Sequence, residues 1–309
     1  MSQRIWVITG VNSGFGLAVA LEAAKNGDKV IGTVRSLSKF PESLRAAGAV
    51  PVVIDFNGSD ADILQAAKDA LGTYDRVDVV VNNVGYGLIG PVEELSVDDV
   101  RSNFQVNFFG LLTFTQPFIA HFRERKSGHI INMSSIAALH VGPSWLAYSA
   151  SKAALDALTD TLTLELKLFN VRVISVTAGV FPTTNFFVGH PNYQADDKRH
   201  ETNSAKETNI YTDPVTQGYD IMNELPRMYM SSGQVGDPEK LAMRIYELVS
   251  GTGLLKDLVP ENGGKWEWNR LVLGPDAGMM MNKRLAELKE NVDMFEPVWQ
   301  STNADEGKI

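Results

Sequence analysis

Cysteine is absent from the 309-residue sequence. Disulfide bonds, thiolate nucleophiles and cysteine-ligated metal sites are therefore excluded. The five histidines show no spacing typical of metal ligands, so we predict no metal site. A cysteine-free chain suits a reducing compartment, and we expect a cytoplasmic protein.

Long apolar stretches and concentrated positive charge are also missing. Charged residues interrupt every apolar stretch before it reaches the roughly 18 residues that a membrane-spanning helix needs. The chain starts MSQRIWVITG, without the basic and apolar segments of an export signal. The formal net charge is -9, and the lysines and arginines are scattered. We therefore expect neither a membrane span nor a nucleic-acid partner.

Short apolar runs alternate with amphipathic segments of helical period. The runs are continuously apolar, which is typical of parallel strands covered by helices on both faces. The pattern predicts a doubly wound α/β domain over 1–309, a Rossmann-type seven-stranded parallel sheet with helices on both faces. The predicted strands are Ile5–Thr9, Lys29–Val34, Val50–Ile54, Val77–Val81, His129–Met133, Val171–Val176 and Leu271–Leu273. The predicted helices are Gly16–Asn26, Asp60–Leu71, Val97–Arg125, Trp145–Phe169 and Asp237–Ser250.

Two regions depart from this alternation. Residues 181–236 separate the sixth predicted strand from the next helix by far more than a usual connection, and we predict a substrate lid there. Residues 283–309 form a charged, amphipathic C-terminal extension that ends STNADEGKI, and we expect this end to fray.

A glycine-rich turn follows the first predicted strand. It reads TGVNSGFG from Thr9 to Gly16, with G-x-x-x-G-x-G spacing. Glycine is needed because the turn must adopt positive φ and because a Cβ would keep the backbone amides from a dinucleotide pyrophosphate. Alone, such a turn is also compatible with an ordinary tight turn. The predicted cofactor-binding residues here are Gly10, Asn12, Ser13, Gly14, Phe15 and Gly16.

The end of the second strand carries Arg35 and Ser36. An acidic residue there would bind the ribose 2′-hydroxyl of NAD, but Asp28 lies at the opposite end of the strand. A guanidinium binds the 2′-phosphate of NADP bidentately, and Ser36 offers a further hydroxyl contact. We therefore predict NADP(H) as the cofactor. The alternative is that Arg35 is a solvated surface charge.

Tyr148 and Lys152 are spaced to share one face of a helix. An ammonium ~4 Å from a phenol, at an effective dielectric constant of about 20, favours the phenolate by ~4 kcal/mol, or roughly three pKa units. We therefore expect a lowered pKa for Tyr148, and a phenol that exchanges protons near neutral pH. Taken alone, the Tyr-x-x-x-Lys spacing also occurs on ordinary surface helices.

Together these segments resemble the short-chain dehydrogenase/reductase family, and its hydroxysteroid and retinol dehydrogenase-like branch in particular. The resemblance runs from Ile5 to Leu273 and implies interconversion of a carbonyl and a primary or secondary alcohol by hydride transfer. Val84 stands where the family has Ala, and Ala178 stands where Pro usually precedes Gly179. The matching segments are TGVNSGFG at 9–16, NNVG at 82–85, NMSS at 132–135, YSASK at 148–152 and LVLGPDA at 271–277.

The resemblance also implies roles for individual residues. Tyr148 would transfer the proton, and Ser135 would hold the substrate oxygen. Lys152 would lower the pKa of Tyr148. Both residues would bind the nicotinamide ribose. Asn107 would support a water-linked proton relay to Lys152. Further cofactor contacts implied in this way are Asp55, Phe56, Asn83, Gly85, Gly179, Val180 and Thr183.

Apolar side chains predicted beside this site favour a bulky lipophilic substrate. Each of them is also compatible with core packing or an ordinary loop position. The family's subunit contacts imply a homodimer or homotetramer through the helices that carry Asn107 and Tyr148. Two other functions stay open: non-redox isomerisation or cyclisation at the same site, and dinucleotide binding without turnover. The candidate substrate residues are Leu139, His140, Trp145, Phe181, Phe186 and Phe187.

Overall fold

The structure, a computed structural model, describes the chain in several ranges. These are residues 3–88, 90, 92–93, 95–142, 145–181, 187–188, 236–258 and 268–303, with only the backbone described at 187–188. The lid expected over 181–236 therefore falls outside the described residues, except at its two ends and at 187–188. The single-domain organisation over 1–309 likewise stays a prediction.

Seven parallel strands form the central sheet, in the order β3-β2-β1-β4-β6-β7-β9. A separate parallel pair joins β5 to β8. Strand order reverses around β1 and β4, which is where open α/β sheets bind their ligands. The predicted seven-stranded doubly wound fold is confirmed. The strands are β1 (Ile5–Ile8), β2 (Lys29–Val34), β3 (Val50–Val53), β4 (Val79–Asn82), β5 (Gly87–Leu88), β6 (Gly128–Ser135), β7 (Val171–Ala178), β8 (Phe187–Val188) and β9 (Arg270–Leu273).

Helices cover both faces of the sheet, and each face has its own apolar core. Helices α1 and α7 pack on one face, and α3, α5 and α6 pack on the other. Neighbouring strand residues point to opposite cores, since Trp6 and Ile8 join one while Ile5 and Val7 join the other. This explains why the strands read as unbroken apolar runs. The helices are α1 (Gly14–Lys25), α2 (Glu42–Ala46), α3 (Asp60–Gly72), α4 (Val97–Phe104), α5 (Gly110–Arg125), α6 (Leu146–Leu166), α7 (Pro238–Ser250), α8 (Pro275–Met294) and α9 (Glu296–Gln300).

The helix predicted over Val97–Arg125 has the predicted bounds, but a π-helical turn at Gln105–Phe109 divides it into α4 and α5. Gly110 allows the chain to pass closely here: a Cβ on it would lie 2.9 Å from the carbonyl oxygens of both Gln105 and Phe56. Single π turns inside helices often occur at functional sites. This one carries Asn107.

The C-terminal helix begins earlier than the extension predicted from residue 283. Helix α8 starts at Pro275, and its first turn is part of the body of the protein because Asp276 and Ala277 are buried. Most side chains further along α8 and all those of α9 are exposed or half-buried.

Membrane spans and metal-ligand clusters were searched for throughout the described ranges. No helix there is both long and apolar enough to cross a membrane. Nor do three or more His, Asp or Glu side chains of those ranges gather as metal ligands. Buried carboxylates such as Asp28 and Asp156 instead lie against Arg4 and Arg270.

Candidate active site

The residues predicted for the site meet at one edge of the sheet. Gly10 follows β1, Asn83 follows β4, Ser135 ends β6 and Gly179 follows β7. Because the strands are parallel, their carboxyl ends share this edge, and the crevice lies at the strand-order reversal.

The glycine turn has the backbone geometry predicted for it. Gly10 and Gly14 have φ of +71° and +58°. A Cβ on Gly16 would lie 2.3 Å from the Gly10 carbonyl oxygen and 2.5 Å from Asn83 Nδ2. Ser13 precedes α1 without a side-chain cap, so its hydroxyl does not occupy the first N–H groups of the helix. A turn that excludes Cβ atoms and ends on a helix N-terminus is suited to bind a diphosphate.

Two threonines brace this turn. The Thr9 hydroxyl oxygen accepts hydrogen bonds from the backbone N–H groups of Asn83 (2.8 Å) and Val84 (3.0 Å). Asn83 Nδ2 donates to the Thr9 carbonyl oxygen at 2.8 Å. Thr33 on β2 accepts from the Gly10 N–H at 3.1 Å. Sequence reasoning assigned Thr9 and Thr33 no role, and Asn83 is a structural brace as well as a predicted cofactor contact.

The predicted adenosine side of the site lies at the end of β2. Arg35 directly follows this strand and is exposed. Thr33 bonds to the glycine turn, and Arg35 and Ser36 follow Thr33 closely in the sequence. Both residues therefore lie near the glycine turn. The Ser36 hydroxyl is 3.0 Å from that of Ser38.

The two residues predicted to bind the adenine follow β3. Asp55 is exposed, and its Oδ1 accepts a hydrogen bond from the Asn57 N–H at 3.0 Å. The ring of Phe56 is buried, with its centroid 5.5 Å from that of Phe114. Any cofactor contact of Phe56 would therefore come from its backbone.

Tyr148, Ser135 and Lys152 lie together in the crevice, with exposed fractions of 4%, 9% and 3%. Ser135 is the hydrogen-bonding neighbour that lowers the pKa of the Tyr148 phenol against burial. The Ser135 oxygen also accepts from the Ala137 N–H at 3.2 Å. Lys152 Nζ lies 6.0 Å from the centroid of the Tyr148 ring and donates to the Met133 carbonyl oxygen at 2.7 Å.

Burial, rather than the lysine, dominates the electrostatics of the phenol. It raises the pKa of Tyr148 well above the usual value; the Ser135 hydrogen bond opposes this and the Asp156 carboxylate adds to it. Burial also lowers the pKa of Lys152 to about 8, and Asp156 opposes that shift. The lowered phenol pKa expected from the helix spacing is therefore wrong for this structure. The ammonium points to a backbone carbonyl, and the enclosed phenol loses hydration.

Asn107 is fully buried, and hydrogen bonds hold its side-chain amide. Its Nδ2 donates to the Tyr86 carbonyl oxygen and to the Ser151 hydroxyl, each at 3.0 Å. Its Oδ1 accepts from the Tyr86 N–H at 3.0 Å. Gly85 lies beside it, since a Cβ there would be 3.1 Å from Asn107 Oδ1 and 3.4 Å from Lys152 Nζ. Gly85 therefore lies between Asn107 and Lys152, and the relay role of Asn107 stays a prediction.

Asp156 is a buried residue of this site that sequence reasoning missed. The Ser175 hydroxyl donates to its Oδ1 at 2.7 Å, and Arg270 Nη1 donates to its Oδ2 at 2.5 Å. It follows Lys152 by one helical turn, a spacing that a search for charged i, i+4 pairs would have found.

The candidate substrate residues are only partly described. Leu139 and His140 are half-buried just after β6. The Trp145 ring stands edge-on to Tyr148, with centroids 5.8 Å apart. Phe181 packs edge-on against Phe15 of the glycine turn, at 5.1 Å. Phe186 and Thr183, and the side chain of Phe187, lie outside the described residues, so the substrate wall stays a prediction.

Comparison with known proteins gives consistent matches. The family model for short chain dehydrogenases matches residues 4–189. Retinol dehydrogenase 8 of Homo sapiens is 31% identical over 263 residues, covering 81% of this chain and 79% of its own. Estradiol 17-beta-dehydrogenase 1 of Rattus norvegicus is 34% identical over 192 residues, covering 59% and 56%. A solved short-chain dehydrogenase from Streptomyces avermitilis superposes with a TM-score of 0.79 at 30% identity, covering 98% of this chain and 100% of its own.

The matched stretch spans 65% or less of the length of several curated relatives. The family model nevertheless covers the glycine turn and every catalytic candidate, and the relative from Streptomyces is similar along nearly the whole chain. The chain therefore belongs to the short-chain dehydrogenase family, with the family's nicotinamide-dinucleotide-binding fold and with retinol and hydroxysteroid dehydrogenases among its relatives.

Proposed function

We propose that this protein is an NADP(H)-dependent oxidoreductase that interconverts a carbonyl and an alcohol on a bulky lipophilic substrate, with Tyr148 as the acid/base residue. The observation that carries the proposal is the burial of the Tyr148 phenol at one edge of the sheet, with Ser135 as its hydrogen-bonding neighbour. Both are buried at the sheet edge beside the glycine turn, with the Lys152 ammonium 6.0 Å from the phenol ring. This arrangement supports proton transfer to an oxygen bound between two hydroxyls.

The crevice fits a nicotinamide dinucleotide. Gly16 has no room for a Cβ, so it lets α1 pack closely against the glycine turn, and the first N–H groups of α1, which Ser13 leaves uncapped, are suited to bind a diphosphate. When bound, the cofactor supplies or takes up the hydride. The residues proposed to hold it are those of the glycine turn, Arg35, Ser36, Asp55, Phe56, Asn83, Gly85, Tyr148, Lys152, Gly179, Val180 and Thr183.

The catalytic side chains have separable tasks. Ser135 orients the substrate oxygen, and Tyr148 donates its proton to that oxygen during carbonyl reduction. Burial raises the pKa of the phenol, so Tyr148 holds its proton until it is transferred. Lys152 carries the positive charge that favours the phenolate left after transfer, and Asn107 fixes the backbone beside Lys152.

The preference for NADP(H) rests on Arg35. Its exposed position directly after β2 supports recognition of a 2′-phosphate. We expect Arg35→Ala to weaken NADPH binding at least about tenfold while changing NADH binding little. Lys25→Ala is the matched control, since it removes the same charge at the far end of α1, where the side chain is 79% exposed. Equal loss of NADPH and NADH affinity in Arg35→Ala would contradict the preference.

The substrate class is tested with a panel of lipophilic ketones. The apolar neighbours of Tyr148, such as Trp145, support a large apolar substrate, as do two relatives named for retinol and estradiol. We expect the fluorescence of NADPH to rise on binding, and ketone-dependent oxidation of NADPH to follow. If product forms without NADPH consumption, the site performs non-redox chemistry; if the cofactor binds and no ketone is reduced, the protein is a binding protein.

We also propose how the subunits associate and where the protein is located in the cell. A homodimer or homotetramer through the helices that carry Asn107 and Tyr148 is supported by exposed apolar side chains there, including Phe109 at 49% and Leu164 at 76%. The cytoplasm is the proposed compartment, which cell fractionation tests. We also propose one domain over 1–309, with a substrate lid at about 181–236 and the extension at about 283–309.

A further inference from the structure

The turn after β7 is held from the C-terminal segment. The Gly179 N–H donates to the Leu273 carbonyl oxygen at 2.9 Å. The next amide, that of Val180, donates to Asp276 Oδ2 at 2.7 Å. This is the turn in which Ala178 stands where the family pattern has proline, so its shape depends on other constraints.

Asp276 is a buried carboxylate, with 6% of the residue exposed. It lies between two glycines: a Cβ on Gly179 would be 2.3 Å from Asp276 Oδ1, and a Cβ on Gly274 would be 2.7 Å from the same atom. Oδ1 has no hydrogen-bond partner among the described residues. The carboxylate lies in the first turn of α8, where the helix dipole favours negative charge. The two glycines thus make the room that lets this carboxylate reach the turn.

The turn after β7 also contacts the glycine turn, on the side away from Asp276. Phe181 directly follows Val180, and its ring packs edge-on against Phe15 at 5.1 Å with an interplanar angle of 83°. Phe181 also fills the space beside Gly236, where a Cβ would lie 2.2 Å from the ring. The turn is therefore held between the first turn of α8 and the glycine turn.

We propose that Asp276 is a positioning residue for the nicotinamide end of the cofactor site. By holding the Val180 N–H, its carboxylate fixes the turn over 179–181 and replaces the constraint that a proline at 178 would provide. The inference rests on the proposed function, because it requires a nicotinamide cofactor that extends to this turn. It assigns a cofactor-site role to the start of α8, more than 90 residues further along the chain.

The test distinguishes binding of the nicotinamide end of the cofactor from binding of the rest of it. Binding of NADPH and of 2′-phospho-ADP-ribose, which lacks only the nicotinamide ring, is measured for Asp276→Ala and Asp276→Asn. We expect Asp276→Ala to weaken NADPH binding about tenfold, as loss of one charge-assisted hydrogen bond to a half-buried N–H would. The affinity for 2′-phospho-ADP-ribose stays at the wild-type value. Asp276→Asn keeps NADPH binding near wild type, because its amide oxygen still accepts from Val180.

A second variant covers the case in which Asp276→Ala does not fold. Asp276→Ser keeps a small polar side chain in the first turn of α8 but is too short to reach Val180, so the same selective loss is expected. NADPH binding at the wild-type level in Asp276→Ala or Asp276→Ser overturns the inference. Equal weakening of both ligands also overturns it, since that marks general destabilisation. A wild-type protein that binds neither NADPH nor NADH instead refutes the proposed function, and the inference with it.

Discussion

The ammonium of Lys152 is buried one helical turn from the carboxylate of Asp156, and burial lowers the pKa of the lysine to about 8. Below this pH the lysine is charged and favours the phenolate that forms when Tyr148 gives up its proton. Above it the charge is lost, so kcat/KM for carbonyl reduction should fall as the pH rises past about 8.

Asp156→Asn should move this alkaline limb to lower pH. The carboxylate raises the pKa of Lys152 against burial, so its neutralisation lowers that pKa further. The amide oxygen of Asn keeps an acceptor for the Ser175 hydroxyl, which limits structural damage. The measurement is kcat/KM between pH 6 and 10 for wild type and variant.

Asp160→Asn is the matched control for this profile. Asp160 lies on the same helix and also faces Arg270, at 4.0 Å, but its side chain is 55% exposed and it does not shift the pKa of Lys152. Its profile should overlay that of the wild type. An unshifted limb in Asp156→Asn would contradict the assigned electrostatic role.

His129 should govern part of the acid sensitivity of the fold. Burial, then the charges of Arg172 and Arg4, lower its pKa from 6.5 to about 3. Between these values the unfolded chain binds the proton and the folded chain does not, so the free energy of unfolding falls as the pH drops from 6.5 to 3. Each pH unit within that window contributes up to about 1.4 kcal/mol.

The variant His129→Gln lacks this titration and should lose stability less steeply in the same window. Urea unfolding at pH 7.5, 6, 5 and 4 measures the slopes. Parallel curves for the two proteins would show that the histidine does not carry the effect.

At the scale of elements, the π turn is the segment that positions Asn107. Gly110 follows it directly, and an added Cβ would approach two carbonyl oxygens at 2.9 Å. Gly110→Ala should therefore cost about 1–3 kcal/mol of stability and reduce turnover, because the π turn must shift. Thermal unfolding and initial rates provide the two readouts.

Gly72→Ala is the control for the loss of a glycine. Gly72 ends α3, and a Cβ on it would meet nothing within 4 Å. This variant should be neutral or slightly stabilising, as removal of glycine from a helix usually is. If Gly110→Ala behaves like Gly72→Ala, the close approach does not constrain the turn.

Most elements were predictable because burial patterns are local. Both faces of the sheet are covered, so strands such as β1 and β7 read as apolar runs, and α7 could be located from its Asp-Pro start. The π turn, α2 and the β5–β8 pair were not predicted. They depend on close backbone contacts or on two-residue pairings that leave no periodic signal.

Some features of the candidate site could likewise be predicted from the sequence, and others could not. The glycine turn, Tyr148 and Lys152 were predicted from residue type and spacing, and Ser135 was predicted from the family resemblance. The pKa of Tyr148 does not, because its direction depends on how deeply the phenol is enclosed. Asp276 was equally inaccessible, since its bond to Val180 joins segments 96 residues apart.

In the molecule as a whole, helix α6 carries both catalytic candidates and part of the proposed subunit interface. Leu164 lies on this helix with 76% of the residue exposed. We expect Leu164→Glu to lower the mass of the assembly measured by light scattering, because a carboxylate would be buried between subunits. Leu254→Glu, at a position 73% exposed but distant along the chain, should leave the mass unchanged. A monomeric wild type, or equal effects of both variants, would contradict this interface.

The central claim is that the buried phenol of Tyr148 transfers the proton. The most direct test compares Tyr148→Phe with Tyr86→Phe, which removes the hydroxyl of a half-buried tyrosine whose pKa is also raised by burial, to about 12. NADPH affinity and single-turnover ketone reduction are measured for both. We predict that Tyr148→Phe binds NADPH within about twofold of wild type but reduces ketone at least about 10²-fold more slowly, while Tyr86→Phe stays within a few-fold. Wild-type turnover by Tyr148→Phe would contradict the account.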